Sequence, residues 1–97
     1  MNNEIMKMGA IVSKRVAIGE SSILCAIRSE PVDEADSGWE FSEGSSFEKS
    51  DSENPQLWLV SEVLELEPSL TSFINLAAGT RIVRKSNNDS WTLSRTT

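Results

Sequence analysis

The chain has 97 residues, 38% apolar and 25% charged, and carries a net charge of −6. Those values fit one small globular domain and exclude wholesale disorder. The acidic balance weighs against nucleic acid or anionic lipid as a partner, and the absence of histidine excludes Ser/His or Cys/His catalysis and imidazole metal sites.

From the N-terminus, residues 1–7 are polar and read as frayed. Met8–Val12 is a continuous apolar run that predicts a strand covered on both faces. Lys14–Glu20 reads as a connection turning at Gly19. Ser22–Arg28 predicts a second central strand, holding the single cysteine, Cys25, in core packing. Pro31 has no backbone donor and ends the pairing. From Gly38 the pattern alternates: Trp39 and Phe41 point one way, Glu40 and Ser42 toward solvent.

Gly44–Pro55 is a long polar loop with Phe47 as its apolar pin. Leu57–Val60 resumes an apolar strand. Ser61 then caps a short helix with Val63, Leu64 and Leu66 on its apolar side. Pro68 closes that helix and opens another, in which Leu70, Phe73 and Ile74 share a face before Gly79 stops it. Thr80–Lys85 and Trp91–Ser94 form a hairpin around Ser86–Ser90. No βαβ alternation is present, so the expected architecture is α+β. It is a single domain over residues 1–97, with a mainly antiparallel sheet of five or six short strands and two short helices.

Charge is unevenly placed. Glu30–Glu53 carries nine acids against Lys49, a net of −8, which leaves the rest of the chain at +2. Within it, Asp33, Glu34, Asp36 and Glu40 flank Trp39, and these five are the candidate partner-binding residues. Such a segment steers a basic protein surface toward it; the plain alternative is a solubilising loop. Trp39 has the chemistry of an interface anchor and, alternating with Phe41, equally the pattern of a core residue. Arg28 is placed to pair with Glu30 or Glu40. Carboxylates in polar sequence keep ordinary acidities, so catalysis is not expected. Asp33, Glu34 and Asp36 offer oxygens to calcium, but the spacing and central glycine of an EF-hand are missing. No metal and no cofactor is expected. The N-terminus lacks the apolar stretch of a secretory signal. Ile23–Ile27, the longest apolar run, falls far short of the ~20 residues that span a bilayer. The expected location is the cytoplasm.

Several segments together resemble a known family. They are Ile11–Arg15 (Ile-Val-Ser-Lys-Arg), Arg28-Ser29-Glu30-Pro31, the Asp36-Ser37-Gly38-Trp39-Glu40-Phe41 block, Asn54-Pro55, and Glu67-Pro68-Ser69-Leu70 leading to Gly79-Thr80. They resemble a bacterial family once classed as a domain of unknown function and later grouped with immunity proteins of polymorphic toxin systems. The resemblance spans roughly Gly9 to Arg84, and its most specific part is Asp-Ser-Gly-Trp-x-Phe. Two positions depart from the family pattern: Glu67 replaces an aspartate before the helix-opening proline, and Ser45-Ser46 delay the acids after Gly44. The resemblance implies an α+β fold and a protein toxin as partner, neutralised in the producing cell's cytoplasm. A small regulatory or ligand-binding module, with a pocket beside Trp39, is the other reading.

Overall fold

In the computed structural model, which describes residues 4–43 and 55–95, the apolar runs become six strands of one sheet. The strands are β1 (Gly9–Val12), β2 (Cys25–Arg28), β3 (Asp36–Ser42), β4 (Gln56–Leu59), β5 (Thr80–Val83) and β6 (Thr92–Arg95). Their order across the sheet is β4-β1-β3-β2-β5-β6. Every neighbouring pair is antiparallel except β1 and β3, which run parallel. Phe47 and most of the Gly44–Pro55 loop lie outside the described residues.

Helical segments supply the cover. Short helix α1 (Lys14–Ala17) forms where a plain connection was expected, because the Ser13 hydroxyl accepts from the Val16 N–H and Val16 buries into the core. The polar N-terminus is likewise ordered from Glu4: a 3-10 turn over Glu4–Lys7 drives Ile5 into the core. Helix α2 (Val60–Leu66) starts two residues earlier than the Ser61 cap predicts, with Leu59 at the cap position. Its entry is fixed by Glu62, whose carboxylate accepts from the Leu59 N–H at 2.9 Å. Pro68–Ser72 is a 3-10 helix with Pro68 at its first turn.

These segments bury Ile5, Val16, Val60, Val63, Leu70 and Ile74 in one core. The matching sheet residues, Ala10, Val12, Ala26, Phe41 and Ile82, are also buried. Side chains alternate along a strand, so this is one face of the sheet. The other face carries Ile11, Leu57, Leu59, Glu40, Ile27, Arg81 and Val83. The expectation that β1 is covered on both faces therefore fails: Ile11 is 41% exposed.

Buried charge on the covered side is fully matched. Arg84 donates to the Ile23 carbonyl at 3.1 Å, pairs with Glu67 at 2.8 Å and lies 4.3 Å from the Trp91 ring centroid. The Trp91 Nε1–H donates to Ser69 Oγ, which in turn donates to Glu67. Glu67 makes no capping bond from its side chain; it anchors Arg84 instead. Trp58 and Trp91 are half-buried against the core.

Candidate docking site

The site is built around a disturbance in β3. Gly9 stands opposite Asp36, yet Ile11 stands opposite Glu40, so two residues of β1 face four of β3. The surplus is a bulge over Ser37–Gly38–Trp39. Gly38 has φ +84°, and a side chain there would overlap the Ser29 carbonyl oxygen, so glycine is required twice over. The Ser37 hydroxyl donates to the Gly9 carbonyl at 2.6 Å and accepts from the Trp39 N–H. Asp36 accepts from the Gly38 N–H with one oxygen and from the Val32 N–H with the other, both at 2.9 Å. Asp33 closes a tight turn by accepting from the Ala35 N–H.

This geometry settles Trp39. In the unbroken register with β2, alternation with Phe41 puts its ring on the covered face, where it is 1% exposed and stacks on Phe41 at 5.6 Å. Its Nε1–H donates to the Ile74 carbonyl at 2.9 Å. Trp39 is a core residue, and as a surface anchor it is corrected: no partner can touch the ring in this fold. Arg28 is corrected as well. It donates to the carbonyls of Ser37 and Leu76, both at 2.9 Å, with its guanidinium 5.9 Å from the Trp39 ring centroid. Pairing with Glu30 or Glu40 is not what holds it.

A groove of about 440 Å³ opens on the uncovered side of the bulge. Its aliphatic walls are Ile11, Leu57 and Val32; Glu30, Asp33, Asp36 and Glu40 supply its acids. Val32 and Leu57 are 85% and 78% exposed. Glu40 and Ser42 were expected in solvent, but β3 is an interior strand crowded by β1 and β2. Glu40 is half-buried and Ser42 buried. Burial, and then the neighbouring Asp36 carboxylate, push the Glu40 carboxyl above the usual range. Glu34 is exposed on the loop but does not line the groove. So Asp33, Asp36 and Glu40 come together, Glu34 stays at the rim, and Trp39 supports the site from beneath. Among the described residues, no group of three or more potential ligands could hold a metal ion. No helix there is long and apolar enough to cross a membrane.

The family profile described as the immunity protein Imm33 domain matches residues 10–94. The chain belongs to the Imm33 family. No curated protein and no solved structure matches it. In this Imm33 domain the Asp-Ser-Gly-Trp-x-Phe block is structural, since each of its first four residues builds or fills the bulge. What sequence reading missed is the aliphatic wall of Ile11, Val32 and Leu57. The available signal was topological: β4 runs straight into α2, so it lies at a sheet edge with little to cover Leu57.

Proposed function

We propose that this Imm33 domain neutralises a protein toxin by binding it, with the groove beside β3 as the contact surface. One observation carries the reading: exposed Ile11, Val32 and Leu57 adjoin two crowded carboxylates, Asp36 and Glu40. Exposed aliphatics beside charge that lacks a counter-ion among the described residues are the makings of an interface. The partner surface is basic. The exposed acids Glu30, Asp33 and Glu34 act on the rate of encounter more than on the strength of the final complex. The role needs no chemistry from the chain, which has no histidine, and it is exercised in the cytoplasm of the producing cell. Nucleic acid and membrane are not partners of this acidic surface.

A small ligand is the second reading, because the groove volume falls in the range of about 300–1,000 Å³ typical of ligand sites. The Trp39 ring points into the core, however, and offers no stacking platform.

Co-expression with the toxin encoded beside the gene tests the proposal. Wild type restores growth, and Leu57→Asp, which places a carboxylate on an exposed wall without touching the core, abolishes rescue while leaving the melting curve in place. Rescue by Leu57→Asp at wild-type expression would remove the groove from the interface.

A further inference from the structure

The uncovered sheet face holds a second charge that pairs with no carboxylate among the described residues. Arg81 on β5 is half-buried, the Cys25 thiol lies beside it, and its Nε is shut off from solvent with no oxygen acceptor among the described residues. Such a donor is costly when left unmet. The guanidinium lines a separate cleft with Cys25, Glu43, Val83 and Lys85. Glu43 is the acid in that cleft, and its carboxylate accepts from Ser13 at 2.6 Å.

Strand register fixes where Arg81 sits relative to the groove. Ile11 is opposite Glu40, Glu40 opposite Ile27, and Ile27 opposite Arg81. Leu57 is opposite Ile11 at the other end of the row. One line across the sheet thus reads Leu57, Ile11, Glu40, Ile27, Arg81: two aliphatics, an acid, an aliphatic, a base. Adjacent strands are ~4.8 Å apart, so the acid and base stand roughly 10 Å from each other. With Ile27 between them, they do not pair.

Resting on the toxin-binding reading above, we infer that the partner covers this whole row and sets a cation against Glu40 and a carboxylate against Arg81. The partner is a toxin surface of mixed charge around an aliphatic strip, rather than a uniformly basic one. Each contact offsets a penalty already present in the free protein: the crowding of Glu40 by Asp36, and the unmet donor of Arg81. Glu40 attracts, and Arg81 selects, because a uniformly basic surface is repelled there.

The test titrates the full chain into the neighbouring toxin, rendered inactive by mutation, and measures Kd for wild type, Glu40→Gln, Arg81→Met and Arg81→Lys. The expected result is a loss of tenfold or more for Glu40→Gln and for Arg81→Met, and a smaller loss for Arg81→Lys. Removing an unmet buried donor does not cost fold stability, so Arg81→Met melts at or above the wild-type temperature. That separates lost recognition from lost structure. If Arg81→Met binds as wild type while Glu40→Gln is weakened, the groove reading stands and the mixed-charge inference is wrong. If both bind as wild type, the docking surface lies elsewhere and both readings go. If wild type itself does not bind, the toxin-binding proposal fails first. A concentration-dependent dimer that Arg81→Glu breaks, and that adding Glu40→Arg restores, would assign the row to a second copy of this chain and overturn the inference.

Discussion

The two faces of one sheet treat charge in opposite ways. On the covered face, Arg28 donates to two backbone carbonyls, and Arg84 is held by Glu67, the Ile23 carbonyl and the Trp91 ring. On the open face, Glu40 meets another carboxylate, and Arg81 Nε meets no oxygen acceptor among the described residues. Charge that is matched inside the chain serves folding, because removing one partner strands the other. Charge left unmatched makes folding slightly worse and is retained at the expense of stability. The contrast separates residues that hold the domain together from residues that, on the reading proposed above, are left for a partner.

The sharpest way to break the contrast is on the covered face. Trp39→Ala removes the largest buried side chain, its stack on Phe41 and its bond to Ile74, and should cost about 3–5 kcal/mol. Urea denaturation measures it, and a loss below ~1 kcal/mol would be incompatible with the core position. Next comes Gly38→Ala. Its φ of +84° alone costs a residue with a Cβ about 1–2 kcal/mol, and displacing Ser29 adds to that. Circular-dichroism melts should place it just below Trp39→Ala.

Glu67→Ala leaves the Arg84 guanidinium buried without its carboxylate, an expected loss of about 2–3 kcal/mol. Arg84→Met, which removes the charge as well, should be better tolerated than Glu67→Ala. The reverse order in thermal melts would show that stacking on Trp91, not the ion pair, is what Arg84 contributes.

The smallest effect lies on the open face and has the opposite sign. Burial and Asp36 hold the Glu40 carboxyl pKa above its ordinary value, so the folded chain keeps that proton to a higher pH than the unfolded chain does. Stability from this group is complete below the ordinary carboxylate pKa and is lost as pH rises through the raised value. Glu40→Gln abolishes that loss. It should melt higher than wild type at neutral pH, with the difference shrinking as pH falls toward the ordinary carboxylate range. A Glu40→Gln that melts lower at neutral pH would mean that Glu40 is matched within the chain after all.

Much of the fold was legible because apolar runs and turn residues locate strands well. The runs at Ile11–Val12, Cys25–Ile27 and Arg81–Val83 lie in strands, and Pro68 marks the step between two helical segments. Pairing was less legible. Nothing local announces that β3 inserts beside β1 in parallel, and a run such as Met8–Val12 looks the same whether one face is covered or both. The site was half legible. Clustered acids marked Asp33, Asp36 and Glu40, but Trp39 was ambiguous because its chemistry suits an interface as well as a core; only the alternation with Phe41, kept in the pairing with β2, points it inward. Arg81 carried no signal at all: Thr-Arg-Ile-Val is an ordinary strand, and the missing acceptor appears only once β2 and β5 are paired.

Asp36 accepts backbone N–H groups with both oxygens. An asparagine could offer only one acceptor, so this carboxylate is held in place by the loop it shapes as well as by any charge it shows a partner. The same holds, residue by residue, through Ser37, Gly38 and Trp39. The stretch on which the family resemblance rests is committed to making the bulge, while Ile11, Val32, Leu57, Glu40 and Arg81 surround it with few structural duties. Mutation can therefore work on those positions while the block stays fixed. On the docking surface proposed above, two proteins that share Asp-Ser-Gly-Trp-x-Phe would be free to bind different toxins, because the positions that would meet the partner are not the ones that build the bulge.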